Sequence, residues 1–212
     1  MRTKIPQLAS ALFTSVFLAG VAQAAAINTF FGTGVDAGGN LLAAGAVDSH
    51  YSVAPGTGPL AIGPGGLASS WVGNTATSQW VSAAADTLAG GGPFVYATSF
   101  SLTGFDFTTA VLNLDVAADN QATVLLNGGL VGTVVFPGWT AFSSLSIGAG
   151  FVAGVNTLSF LIPNNDVSAN DGPTGLQVRV LSATANAIPE PAPWALCGVA
   201  LLLARVARRR PG

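Results

Sequence analysis

The chain has 212 residues, and its few charged residues are unevenly placed. Six of its seven Lys and Arg residues lie near the two ends, so residues 25–187 keep one arginine, Arg179, against eight aspartates, a net charge near −7. This acidic balance excludes the basic footprint that nucleic-acid binding requires, and it argues against docking on anionic lipid. With one cysteine, Cys197, the chain cannot form an intramolecular disulfide.

The first 24 residues have the three parts of a secretory signal peptide. Arg2 and Lys4 make a basic start, residues 8–21 are apolar, and Ala22-Gln23-Ala24 is a small-residue cleavage site. We therefore expect export through the Sec translocon, with signal peptidase cutting after Ala24. Residues 25–187 then form the ectodomain.

The first part of the ectodomain, residues 25–92, reads as short strands separated by long turns rich in glycine and proline. Residues 55–66 are expected to be irregular. His50, the single histidine, is interpreted as an ordinary strand residue, although a Ser-His-Asp site would have to use it. The strands or short apolar pieces predicted here are 27–31, 50–53, 71–74 and 78–81.

Clearer strands follow, because bulky and small residues alternate with a period of two. In residues 94–102 one predicted face carries Phe94, Tyr96, Thr98, Phe100 and Leu102. Asn127-Gly128 predicts a tight hairpin, and residues 183–187 are predicted to be a linker. The other predicted strands are 110–118, 123–126, 130–136, 141–147, 155–162 and 176–181. This pattern predicts an all-β fold with a single antiparallel β-sandwich, jelly-roll-like in form.

The end of the chain combines a rigid polar motif, an apolar run and a basic terminus. Pro189-Glu190-Pro191 is followed by apolar residues 192–204, which would be about 20 Å long as a helix, and by Arg208, Arg209 and Arg210. Extending the run to residue 207, with Arg205 reaching the interface, brings it closer to the roughly 30 Å of a bilayer core. We predict a membrane helix over about 192–207 with the arginines in the cytoplasm.

These three parts, in this order, resemble a PEP-CTERM sorting signal, which is read by exosortase, a membrane-embedded cysteine peptidase of many Gram-negative bacteria. The resemblance covers residues 188–212. It implies transient anchoring in the inner membrane and cleavage near the motif. The ectodomain is then attached at the cell surface or released, in proteins that often accompany exopolysaccharide. An ordinary tail anchor is the alternative.

A second resemblance lies inside the ectodomain. Residues 119–128, Phe142, residues 151–160 and Gly175-Leu176 resemble a galactose-binding-like jelly roll, the sugar-binding sandwich appended to many glycoside hydrolases. Residues 71–80 also resemble the ectodomains of other PEP-CTERM proteins. The resemblance implies the fold and leaves the ligand open.

Clusters of Asp and Asn are the candidate ligand residues, because calcium takes six to eight oxygen ligands. The alternative is that they cap turns through their own side chains. No other cofactor is expected. The residues of this candidate calcium or ligand site are Asp119, Asn120, Asn164, Asn165 and Asp166.

Three tryptophans are candidates for stacking on sugar rings. Trp71 and Trp80 lie in predicted strands and are interpreted as packing residues, whereas Trp139 follows Pro137-Gly138 in a loop and remains a candidate platform. No residues mark a catalytic site. We expect a non-catalytic surface module associated with exopolysaccharide; a carbohydrate-active enzyme and a purely architectural surface protein are the alternatives.

Overall fold

The computed structural model describes residues 23–164 and 172–189, and this part of the chain is almost entirely β-structure. One short 3₁₀ turn, Pro64–Gly66, interrupts the strands. In chain order the strands are β1 (Ala24–Ala26), β2 (Tyr51–Ala54), β3 (Leu60–Ile62), β4 (Trp80–Ser82), β5 (Phe94–Ser101), β6 (Phe105–Asp119), β7 (Ala122–Leu126), β8 (Gly129–Val134), β9 (Ser143–Ile147), β10 (Val155–Ile162) and β11 (Gly175–Ala187).

The strands form two antiparallel sheets. One has the order β3-β4-β11-β6-β9, with β1 also paired to β11; we call it the six-stranded sheet. The other, the five-stranded sheet, has the order β2-β5-β10-β7-β8. The core lies between their inner faces, so the predicted all-β sandwich is confirmed for the described residues.

The alternating pattern explains which side chains form this core. In β5 and β10 every second residue is buried, and the intervening residues are exposed or partly exposed. Phe100, Phe160 and Leu158 are among the residues that fill the space between the sheets. The predicted inward face of residues 94–102 is confirmed, because successive strand residues point to opposite sides of a sheet.

The hairpin predicted at Asn127-Gly128 is confirmed. It joins β7 to β8, and Asn127 and Gly128 have φ angles of 50° and 83°. A two-residue turn that matches strand twist needs positive φ at both positions, which asparagine and glycine adopt most readily.

The strand predicted at residues 27–31 is wrong. Pairing with β11 occurs earlier, at Ala24–Ala26, and the chain then turns so that the Phe30 N–H donates to the Ile27 carbonyl at 3.2 Å. Ile27 and Phe30 are both buried. A turn therefore carries these two side chains into the core.

Three more local predictions need correction in the first part of the ectodomain. Within 55–66, predicted to be irregular, Leu60–Ile62 form β3, an edge strand, where flanking prolines are tolerated. Residues 71–74, predicted to be a strand, are a loop. His50, interpreted as a strand residue, lies in the turn just before β2.

The linker predicted at 183–187 is also wrong, because these residues continue β11. Their backbone pairs with β6 on one side and β1 on the other. Ala185 is fully buried in this position. Backbone pairing on both edges makes these residues part of a strand, so their small side chains alone do not indicate a linker.

The described residues contain no helix long and apolar enough to cross a membrane. The predicted membrane helix, about 192–207, lies outside them. The signal peptide up to residue 22 and the sorting-motif residues Glu190, Pro191, Arg208, Arg209 and Arg210 also lie outside, so these remain predictions.

Candidate functional site

The outer face of the six-stranded sheet carries a second hydrophobic cluster, separate from the core. Its buried members are Ile62, Trp71, Trp80 and Ala117. Trp80 and Ala117 point outward because they alternate with the core residues Val81 and Val116. Trp71 belongs to the loop that follows the 3₁₀ turn, so this loop covers part of the outer face.

Trp71 and Trp80 stack with ring centroids 4.1 Å apart. The Trp80 indole N–H donates to the Val72 carbonyl at 2.7 Å, and the Trp71 indole N–H donates to Oδ2 of Asp119 at 2.7 Å. Gly175 leaves room for the stack, because a Cβ there would lie 2.8 Å from the Trp71 ring. Both tryptophans are buried packing residues, as the sequence indicated, although they pack outside the main core.

The candidate calcium ligands are only partly within the described residues. Asp119 accepts the Trp71 hydrogen bond, Asn120 donates to the Pro163 carbonyl at 3.5 Å, and Asn164 donates to the Gly90 carbonyl at 2.7 Å. Their side chains thus bond different partners. Asn165 and Asp166 lie outside the described residues, and within those residues no three His, Cys, Asp or Glu side chains group around one point. The calcium site stays a prediction.

Burial of the Asp119 carboxyl raises its pKa to about 6, since the hydrogen bond from Trp71 offsets only part of the desolvation cost. Its ordinary value is 3.8. Between these pH values the unfolded chain releases the proton while the folded chain retains it. Folding stability from this group therefore falls as pH rises from about 4 to about 6, and then stays level.

Replacing Asp119 by asparagine should remove this pH dependence. The amide oxygen can still accept the Trp71 hydrogen bond, so the fold is retained. We expect wild type and Asp119→Asn to melt alike near pH 4, and the variant to melt at higher temperature than wild type from about pH 6 upward. Melting curves across this range, followed by tryptophan fluorescence, measure the difference. A constant difference in melting temperature between wild type and Asp119→Asn at all pH values would contradict the raised pKa of Asp119.

Trp139 lies in the loop between β8 and β9, as predicted, and is partly buried. One side packs against the outer cluster, and its ring meets Phe136 edge to face at 5.0 Å between centroids. Phe136 itself is 63% exposed. The loop is held close to the sheet because the Trp139 carbonyl accepts a hydrogen bond from Val72 N at 2.7 Å.

Next to this loop the outer face carries an ion pair with an aromatic neighbour. Arg179 on β11 faces Asp115 on β6 in register, and its Nη2 donates to Oδ2 of that carboxylate. Ser144 on β9 donates to the other carboxylate oxygen at 2.6 Å. The guanidinium lies 5.0 Å from the centroid of the Phe142 ring. We call Asp115, Trp139, Phe142, Ser144 and Arg179 the outer-face site.

In this site the ionised forms of Asp115 and Arg179 are favoured, and the net charge of the pair is zero. Burial acts to raise the pKa of Asp115, but the hydrogen bonds from Arg179 and Ser144 outweigh it and hold the pKa below its ordinary value. The Arg179 side chain is 35% exposed and that of Asp115 is 7% exposed. A ligand on this face therefore meets the guanidinium first.

Four residues of this site were missed as site residues by sequence reasoning: Asp115, Phe142, Ser144 and Arg179. Two signals were present, because Arg179 is the single cation of residues 25–187 and the period of two places Asp115 on the outward face of its strand. The pairing of the two depends on the register between β6 and β11, which no local pattern contains. Of the predicted site residues that the structure describes, Trp139 alone belongs to this site.

No protein-family model matches the chain, and no curated protein matches it either. Among solved structures it is similar to a mutant of a family 29 carbohydrate-binding module, with 12% identity, a TM-score of 0.37 and coverage of 78% of this chain and 92% of the other. It is also similar to a family 35 carbohydrate-binding module from Cellvibrio japonicus, with 17% identity, a TM-score of 0.30 and coverage of 56% and 84%. A third, a family 36 module of a xylanase from the hindgut metagenome of Trinervitermes trinervoides, has 14% identity, a TM-score of 0.28 and coverage of 43% and 74%.

Proposed function

We propose that this chain is an exported, non-catalytic surface module that binds extracellular polysaccharide through the outer-face site. The observation that carries the proposal is the Arg179–Asp115 pair, held by Ser144 beside the Phe142 ring on the outer face of the six-stranded sheet. The resemblance of residues 119–128, 142, 151–160 and 175–176 to a galactose-binding-like jelly roll concerns the fold and leaves the ligand open, so the ligand class rests on the chemistry of this site.

The chemistry of the site suits sugar hydroxyls. A guanidinium has five N–H donors, and the side chain of Arg179, whose Nη2 donates to Asp115, is 35% exposed. Ser144 adds a hydroxyl, and the partly exposed rings of Phe142 and Trp139 offer apolar contact to a sugar ring. Because Asp115 neutralises Arg179, the site binds without requiring a charged ligand.

The spacing of Asp115 and Asp119 differs from that of a pair of catalytic carboxylates. Asp115 and Asp119 share the outer face of β6 but are four strand residues apart, about 13 Å between their Cα atoms. Paired catalytic carboxylates of glycosidases lie roughly 5 to 10 Å apart. A carbohydrate-active enzyme and a purely architectural surface protein stay the alternative functions.

Polysaccharide binding is tested by affinity electrophoresis of the purified protein in gels containing the exopolysaccharide of the producing bacterium. We expect retardation of the wild type and an affinity at least tenfold weaker for Arg179→Gln, since a hydrogen bond to a charged group contributes about 1.5–3 kcal/mol. Ser146→Ala is the matched control, because Ser146 is exposed on the same face of β9, two residues beyond Ser144.

Circular dichroism of both variants must match the wild type, so that lost binding reports on the site. A wild type that migrates freely would refute polysaccharide binding. Equal retardation of wild type and Arg179→Gln would remove the outer-face site from the proposal.

The proposed route to the surface uses the Sec translocon, signal peptidase and exosortase, with the inner membrane as a transient anchor. The support is the PEP-CTERM resemblance of residues 188–212. In a host that carries exosortase, we expect Glu190→Ala to accumulate uncut in the inner membrane. Ile188→Ala, which alters an exposed side chain just before the motif, should be processed like the wild type. Immunoblots of membrane and surface fractions measure this, and normal processing of Glu190→Ala would argue for an ordinary tail anchor.

A further inference from the structure

A groove of about 350 Å³ lies on the opposite side of the sandwich from the outer-face site. It forms where Thr29 and Phe31 lie beside β5 and the start of β2, with Thr29 Oγ1 accepting from Ser101 N at 2.9 Å. Its volume falls within the range of about 300–1,000 Å³ that is usual for small-molecule sites. Its lining residues include the aromatic Phe31 and His50 and the hydroxyl-bearing Thr29, Ser49, Ser52 and Ser99.

One wall of the groove is held in place by the protein itself. The rings of Phe31 and His50 stack at 3.9 Å between centroids, and the Tyr51 hydroxyl donates to the Phe31 carbonyl at 3.0 Å. The backbone N–H of His50 donates to the buried carboxylate of Asp48 at 2.9 Å. A site that is already ordered loses less entropy when a ligand binds.

The hydrogen bonding of His50 determines what its ring presents to a ligand. Nδ1 lies 3.0 Å from the Val35 carbonyl oxygen. Since a carbonyl accepts only, Nδ1 carries the proton in the neutral ring, and Nε2 is left as an acceptor. Nε2 has no hydrogen-bond partner in residues 23–164 and 172–189.

The rest of the lining is polar without charge. Four of the lining residues carry hydroxyls: those of Thr29 and Ser52 donate to carbonyls of β5, that of Ser99 shares a hydrogen bond with Thr157 at 3.1 Å, and each keeps acceptor capacity for a ligand. None of the lining residues is Asp, Glu, Lys or Arg. An acceptor nitrogen, several hydroxyls and an aromatic wall match a neutral ligand with many hydroxyl groups, as in an uncharged sugar.

We propose that this groove is a second saccharide site, and that the chain is thereby a bivalent cross-linker of polysaccharide. The groove opens on the outer face of the five-stranded sheet, and the outer-face site lies on the six-stranded sheet. Two sheets that pack face to face direct their outer faces away from each other. One molecule can therefore hold two glycan segments on opposite sides. The cross-linking, but not the groove itself, rests on the function proposed above.

The groove is tested through His50, the single histidine of the chain, whose imidazole gives one set of proton NMR signals. The purified full chain is titrated with methyl glycosides of galactose, glucose and mannose. We expect at least one of these probes to shift the His50 signals. Ser99→Gln, which extends an exposed side chain of β5 into the groove, should abolish the shift. Thr123→Gln, on the outer face of β7 in the same sheet, should retain it.

Two results would overturn the second site. One is the absence of any shift with all three glycosides, and the other is an equal shift in Ser99→Gln. Because Arg179 lies on the other sheet, Arg179→Gln should leave the His50 response unchanged. The experiment therefore distinguishes a lack of binding at the outer-face site from a lack of binding in the groove.

Cross-linking is tested by turbidity of the producing bacterium's exopolysaccharide mixed with the protein. We expect a maximum at intermediate protein concentration for the wild type, as two sites on one molecule require. Arg179→Gln and Ser99→Gln should each lose the turbidity while still being retarded in affinity gels through the remaining site. Turbidity that persists in both single variants would overturn bivalency.

Discussion

Replacing Trp80 by alanine should lower the free energy of unfolding by about 3–5 kcal/mol, the usual cost of removing a buried tryptophan. Trp80 is fully buried although it points away from the core between the sheets. Its loss removes the stack with Trp71 and the hydrogen bond to the Val72 carbonyl. It also removes the support for the Trp71–Asp119 hydrogen bond, so the loop over the outer face should loosen.

Chemical denaturation of wild type and variant measures this effect. Trp139→Ala is the matched control, because Trp139 belongs to the same cluster but is only partly buried, and we expect a loss of roughly half the size or less. Equal losses at the two positions would show that burial in the outer cluster does not determine its stability. Such a result would contradict the description of these residues as a second buried hydrophobic cluster.

Replacing Asn156 by alanine should cost about 3 kcal/mol or more. The side chain is fully buried at the start of β10 and makes four hydrogen bonds. Its oxygen accepts from Asn127 Nδ2 and Val152 N, each at 2.8 Å, and its nitrogen donates to the carbonyls of Val152 and Gly154 at 2.8 and 3.1 Å. Each such bond contributes about 1 kcal/mol, and the groups left unpaired add to the loss.

Thermal unfolding is the measurement, with a shift of roughly 2–4 °C expected for each kcal/mol in a protein of this size. Asn113→Ala is the control, since Asn113 is only partly buried and its side chain makes one hydrogen bond, to Ser182 at 2.8 Å. We expect a loss of about 1 kcal/mol or less there. Similar shifts in melting temperature for the two variants would mean that the four hydrogen bonds of the Asn156 side chain do not hold the loop 148–154 in place.

Strand faces and tight turns could be predicted from the sequence where they depend on residues only a few positions apart. The alternation in β5 and β10 predicted their buried faces, because successive residues of a strand point to opposite sides. Asn127-Gly128 predicted the β7–β8 hairpin through the φ angles that it permits. Neither inference needed knowledge of any distant residue.

Predictions failed where distant residues decide the outcome. Residues 183–187 look like a linker until β1 and β6 pair with them on both edges. Leu60–Ile62 become a strand because β4 offers an edge. The candidate calcium ligand Asp119 bonds Trp71, 48 residues away in sequence, and no turn or spacing pattern indicates that contact.

The sequence by itself determined the fold class, the faces of the longer strands, and the concentration of positive charge at the chain ends, with Arg179 as the exception. These properties depend on composition and on residues a few positions apart. The tertiary structure alone decided that the loop carrying Trp71 covers the outer face, and that Arg179 meets Asp115 and Ser144. Strand register and loop packing are set by side chains far apart in sequence, which come together only when both sheets have formed.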